Sequence, residues 1–210
     1  MIAQDLTPPA IGKHRDRVRA MMRQDILDAA RAIMREQGIK ELSMRALARA
    51  VGVTAPTLYD YFPSKDGVLD ALFQQGTDRL LREFEEAVST NDPGFSQLRG
   101  IAAAYRTFAH AEPDLFQLMF SRPDPAYCPN DEVKSRSAGL FEILVGAIKL
   151  AIDTGHLRTV DPTATALAAW AAVHGFVILE INGFLRDCSP LEADATFDIS
   201  LHVLFDGLRA

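Results

Sequence analysis

The sequence predicts an all-α protein of about nine helices, with a small three-helix unit at the N-terminus and a larger helical bundle behind it. Three observations carry this. Apolar residues recur at spacings of three and four through nearly the whole chain, as a helix with one buried stripe requires. The strict alternation of a half-buried strand is almost absent, and there is no internal repeat. Proline, glycine and capping residues cut the periodic stretches into lengths typical of globular helices.

Residues 1–16, with Pro8, Pro9 and Gly12, read as a flexible basic arm. From about Val18 to Gln37, Ile26, Ala29, Ala30 and Ile33 form one apolar stripe, and Gly38 suits the left-handed residue that ends a helix. Ser43 can cap a second helix to about Val51, with Leu47 and Ala50 inward and Arg45 and Arg49 outward. Gly52 ends it. Thr54 can cap a third helix from Ala55 to about Phe62, where Pro56 is tolerated because first-turn amides lack an intrahelical partner. Leu58 and Phe62, four apart, share its buried side. Longer helices follow at about 65–89, 94–111, 113–120, 132–154, 162–186 and 192–208. Glu112-Pro113, Arg122-Pro123, Thr154-Gly155 and Asp161-Pro162 punctuate them. The domains are therefore read as an arm over 1–16, a three-helix unit over 17–64 and a bundle over 65–210.

With 48% hydrophobic and 24% charged residues, the composition is that of a soluble globular protein able to bury a core. No apolar run of about 7 to 15 residues follows a basic start, so the N-terminus does not have the build of a signal peptide, and the chain is read as cytoplasmic. The most apolar stretch, Leu167 to Leu185, holds His174, Glu180 and Asn182 and is read as a buried helix rather than a membrane span. Cys128 and Cys188 form no CxxC pair and are expected to be reduced and structural. The net charge of −6 hides an asymmetry: residues 1–70 carry 11 Lys or Arg against 9 Asp or Glu, a net of +2, and the remainder 11 against 19, a net of −8. Positive charge thus collects at the end where Lys13, Arg15, Arg17, Arg19 and Arg23 lie, where a phosphate backbone can use it. The five histidines and two cysteines form no grouping at metal-ligand spacing, and neither a phosphate-binding glycine loop nor a nucleophile elbow is present. Neither an enzyme nor a metal or cofactor is expected.

Two short helices joined by a glycine-containing turn fit a helix-turn-helix. The run from Leu42 through Ser43-Met44-Arg45 and Val51-Gly52-Val53-Thr54-Ala55-Pro56-Thr57-Leu58-Tyr59-Asp60-Tyr61-Phe62, followed by Lys65 and Leu69, resembles the TetR family of regulators from about Ile26 to Leu72. That pattern has Ser or Thr opening the second helix, an Ala-Gly-Val-Ser-like turn, a Leu-Tyr-aromatic-Phe run and a following Lys. Val51, Thr54 and Pro56 depart from it slightly, and Pro56 alters which bases are read. A second stretch, Trp170-Ala171-Ala172-Val173-His174-Gly175, resembles the Trp-x-x-x-His-Gly signature of one class of C-terminal domain in that family.

The resemblance, with the division of labour between phosphate and base contacts, implies site residues. Ser43, Arg45, Tyr61 and Lys65 are phosphate candidates; Ala55, Pro56, Thr57 and Tyr59 are base-reading candidates, with Met44 and Thr54 in the same surface. Packing between helices is the competing role for Tyr59 and Tyr61. A cavity between the middle helices would draw on Tyr105, Phe108, Phe116, Met119, Phe120, Phe141, Trp170 and His174, for each of which a core role is the alternative. The last two helices, through Leu167, Val177, Ile181, Leu185, Leu201, Leu204 and Leu208, are expected to pair with their symmetry mates in a homodimer or to serve the core. The implied function is a repressor released from a palindromic double-stranded operator by a small-molecule inducer, with an activator as its variant. A helical small-molecule binding protein without operator-specific DNA binding is the second reading.

Overall fold

The helix starts follow from local chemistry. In a computed structural model describing residues 10–185 and 192–209, Ser43, Thr54, Asn130 and Asp161 each place a side-chain oxygen on the backbone N–H three residues on. Such a cap contributes about 1 kcal/mol. They open α2 (Met44–Ala50), α3 (Ala55–Tyr59), α7 (Asp131–Asp153) and α8 (Pro162–Ile181). Proline lies in the first turn of α3, α6 (Pro113–Phe120) and α8, where it removes no intrahelical bond. The others are α1 (Ala10–Gln37), α4 (Lys65–Thr90), α5 (Phe95–Ala111) and α9 (Ala193–Asp206). Nine α-helices and one 3-10 turn, Ile39–Glu41, make up the described fold, and no strand is present among the described residues. The fold is all-α.

Three expectations need correction. Helix α1 begins at Ala10, so residues 10–16, expected in a flexible arm, are helical. No proline lies within α1 after Pro9, and the cost of Gly12, about 1 kcal/mol, is spread over a 28-residue helix. The rest of the expected arm lies outside the described residues. Helix α3 stops at Tyr59, and Asp60 and Tyr61 form a turn in which the Tyr61 and Phe62 amides both reach the Leu58 carbonyl. Helix α8 ends at Ile181 because Gly183 takes a left-handed φ of 79°, although the apolar pattern runs on past it.

The chain divides into two units, residues 1–72 with 122–128, and residues 73–121 with 129–210. In the first, α1 to α3 and the opening turns of α4 bury Ile26, Leu47, Leu58, Phe62 and Leu69 against one another. Full burial of each such side chain contributes roughly 1.5–3 kcal/mol. The segment 122–128 returns to this unit, where Lys65 donates to Asp124 Oδ2 at 2.9 Å and the Tyr127 hydroxyl donates to Asp70 Oδ1 at 2.8 Å. Cys128, expected to be structural, is exposed; Cys188 lies outside the described residues. In the second unit, the remainder of α4 and α5 to α9 build a bundle around Leu80, Leu98, Phe108, Phe116 and Ile148.

Helix α8 is long and apolar enough to cross a membrane. The burial expected of it is partial: Ala166, Ala169, Val173 and Val177 enter the bundle, while Leu167 and Leu179 are 55% and 46% exposed.

Candidate DNA-binding surface and ligand cavity

Helix α3 presents a free outer face. Leu58 is wholly buried beneath it, while Pro56, Thr57 and Tyr59 are exposed, Tyr59 by 52%. The Thr54 hydroxyl oxygen accepts from the Thr57 amide and shares a 2.9 Å hydrogen bond with the Thr57 hydroxyl, fixing the first turn. At the other end, Arg19 donates to the Asp60 carbonyl at 2.7 Å and Arg23 to the Tyr61 carbonyl at 2.9 Å. Their guanidinium groups also lie over the Tyr61 and Phe62 rings, at 5.1 and 4.0 Å. Two cations at a helix C-terminus meet its unpaired carbonyls and the negative end of its dipole. Arg45 and Arg49 on α2 are exposed as well, so this unit offers exposed guanidinium groups close in sequence to α3.

In the second unit, α4 to α9 surround a cavity of about 240 Å³. Its wall is apolar and rich in aromatic rings, among them Phe73, Tyr105, Phe120, Phe141, Trp170 and Phe205. Polar atoms are few. The Tyr105 hydroxyl accepts from Trp170 Nε1 at 3.4 Å and shares a 2.8 Å hydrogen bond with His174 Nδ1, and Ser137 donates its proton to the Lys134 carbonyl. Burial pushes the Tyr105 phenol far above its ordinary range and holds the His174 imidazole below its own. Both groups are thus neutral near pH 7. Arg106 makes a two-pronged ion pair with Glu180, which also meets His110 Nε2 at 2.9 Å, and these three do not line the cavity.

Family comparison settles what kind of protein carries these two features. Residues 26–72 match the model of bacterial regulatory proteins of the tetR family. Residues 98–204, just over half of the chain, match the tetracyclin repressor-like C-terminal domain. The chain belongs to the TetR family. An uncharacterized HTH-type transcriptional regulator of Mycobacterium tuberculosis is 26% identical over 205 residues, spanning 94% of this chain and 89% of that one. An HTH-type transcriptional regulator of Mycobacterium bovis is 31% identical over 163 residues, 73% of this chain and 67% of the relative. A solved structure from Rhodococcus sp. RHA1, of a protein of unknown function, superimposes with a TM-score of 0.79 at 26% identity, covering 90% of this chain and 96% of that one. The TetR family is one of transcription regulators rather than enzymes.

Within this TetR-family protein the candidate residues fall into distinct settings. Ser43, Arg45, Thr54, Pro56, Thr57 and Tyr59 are exposed, and Ala55 and Tyr61 are half-buried. Met44 is a correction: its side chain packs into the core at 9% exposure, because the position after the cap turns inward with Leu47 three residues on, leaving only its backbone for contact. Lys65 is half-buried and already engaged, with Asp124 and with the Ile39 carbonyl at 3.3 Å. Of the ligand candidates, Tyr105, Met119, Phe120, Phe141 and Trp170 line the cavity, and His174 reaches it through Tyr105. Phe108 and Phe116 do not line it; they are 0% and 1% exposed in the core behind. The sequence reading missed Phe73, Phe84 and Phe205 in the wall. It also missed the particular work of Arg19 and Arg23, whose spacing of four was the available signal.

Proposed function

We propose that this TetR-family protein is a cytoplasmic, homodimeric repressor that binds a palindromic operator through α3 and leaves it when an apolar small molecule fills the cavity of the bundle. The observation that carries the reading is the exposed face of α3, capped by Thr54 and held at its far end by Arg19 and Arg23. Pro56, Thr57 and Tyr59 on that face suit base edges in a major groove, with thymine methyls met by Ala55 and Pro56. Ser43, Arg45, Tyr61 and Lys65 suit phosphate oxygens.

One such surface gives too few contacts for a specific site, so two are needed. Helix α8 supports the pairing, since an all-round apolar helix requires cover on every side and its outer side chains are bare in the single chain. For release, Met119 and Phe120 of α6 line the cavity, and the segment 122–128 that follows carries Asp124 and Tyr127 onto Lys65 and Asp70. A ligand that favours a shifted α6 would bias that segment and the opening turns of α4; a few kcal/mol of differential affinity suffices.

The test is selection of bound sequences from a random duplex library at near-physiological salt. The expected result is an enriched palindrome whose half-sites lie about 34–36 Å apart or at a multiple of that distance. A folded dimer that enriches nothing would favour a small-molecule binding protein without operator-specific DNA binding.

A further inference from the structure

The cavity carries more information than its existence. None of the described residues lining it is charged, and the side chains among them able to hydrogen-bond are Tyr105, Ser137 and Trp170. The nearby ions are spent on each other: Arg106 on Glu180 and Asp194, and Glu180 also on His110. An ion entering this space loses its hydration and finds no countercharge, so it is rejected. The polar hydrogens at the wall are committed as well. That of Ser137 goes to the Lys134 carbonyl and that of Trp170 to the Tyr105 oxygen. The 2.8 Å hydrogen bond between the phenol and His174 Nδ1 takes its direction from the imidazole tautomer; with the ring proton on Nε2 the phenol donates, and what then remains toward the cavity is acceptor capacity on the Tyr105 and Ser137 oxygens. The volume of about 240 Å³ exceeds the roughly 150 Å³ apolar cavity that takes a benzene ring, leaving space for a second ring. Seven aromatic side chains at the wall offer edges and faces to such a body.

We infer that the ligand of this cavity is an uncharged, apolar, two-ring-sized molecule bearing a single hydroxyl, which donates to Tyr105 at the Trp170–His174 end. Organic anions such as carboxylates, and ammonium ions, are excluded. The inference rests on the reading of the bundle as a ligand sensor and narrows it to one chemical class.

The full chain is titrated calorimetrically with biphenyl-4-ol, biphenyl-4-carboxylate, 4-(aminomethyl)biphenyl and plain biphenyl. Trp170, the single tryptophan of the sequence, reports by its emission whether the occupant sits in the cavity. The alcohol is expected to shift Trp170 emission and to bind at least tenfold more tightly than either ion. Tyr105→Phe should bring the alcohol down to the affinity of plain biphenyl. A β-carbon at Gly76 would stand 2.5 Å from the Met119 sulfur, and Met119 lines the cavity. Gly76→Ala should therefore push that flexible side chain inward and weaken the alcohol several-fold while the helix content is retained. An ion that binds as tightly as the alcohol, or a failure of all four to bind, overturns the inference. Release of operator DNA is read separately. The alcohol binding without release would sink the regulatory reading and leave the ligand class standing. The carboxylate binding and releasing DNA would do the reverse.

Discussion

Thr77 sits wholly buried in α4 with no partner for its hydroxyl. A buried hydroxyl without a hydrogen bond costs about 1–3 kcal/mol. Thr77→Val keeps the shape and removes the polar atom, so it should stabilise the protein by about 1 kcal/mol and raise Tm by roughly 2–4 °C; a fall in Tm would show that the hydroxyl is satisfied in solution. His174 is the opposite case, a polar group whose neutral form the fold has chosen. Burial depresses its pKa, so below the ordinary imidazole value of about 6.5 the unfolded chain binds the proton more readily, and stability falls with falling pH. Glu180 is held ionised chiefly by Arg106, and its own contribution is lost only below the ordinary carboxylate value. Between pH 6.5 and 5 the decline should therefore belong largely to His174. Thermal melts of the wild type and His174→Gln should diverge in pH slope over that interval; parallel slopes would remove His174 as the cause.

At the scale of elements, the parts that could be read beforehand are those whose information is contiguous. Ser43, Thr54 and Asp161 cap helices at the expected positions because a cap involves only its own next three residues. The face of α3 was legible for the same reason, its Leu58 and Phe62 lying four apart. The cavity was legible only in part, since its wall joins Phe73, Met119, Trp170 and Phe205 across the chain, and an apolar residue looks alike in sequence whether it faces a cavity or a neighbour. The bond from Lys65 to Asp124 was invisible too, since 59 residues separate them. That bond makes a prediction about the 122–128 segment. Lys65 depresses the Asp124 carboxyl pKa more than any other group, so if Lys65 serves the phosphate role proposed for it, Asp124 competes with DNA for the same ammonium. Asp124→Asn should release Lys65, tightening binding to any duplex and steepening the logarithmic salt dependence by about 0.9, the increment of one phosphate contact. Anisotropy titrations at low and moderate salt would measure it. An unchanged slope would mean that Lys65 does not reach phosphate.

For the whole molecule, the decisive quantity is apolar surface left bare by a single chain. Of the residues expected to serve either a dimer face or the core, Val177 and Leu201 are in the core at 0% and 3% exposure. The exposed apolar positions on the last two described helices and just beyond α8 are Leu167 and Leu179 on α8, Phe184, and Ile199 and Val203 on α9, the last at 74%. Their spacing decides what they are for. Ile199 and Val203 are four apart, so they share one face of α9, while Phe197, Leu201 and Phe205 supply the buried face. In the proposed homodimer, a four-helix pairing of α8 and α9 with their symmetry mates would bury this second side. Ile199→Glu combined with Val203→Glu places two like charges on that face and leaves the protomer core untouched, so the bundle should still fold. Light scattering during size exclusion should then give the 23.1 kDa of one chain in place of twice that mass. Operator affinity should fall on the order of 100-fold or more, because the second half-site is no longer held at high effective concentration by the first. A variant that stays dimeric would move the interface elsewhere on the bundle, and a monomer that kept full operator affinity would separate DNA recognition from dimerisation altogether.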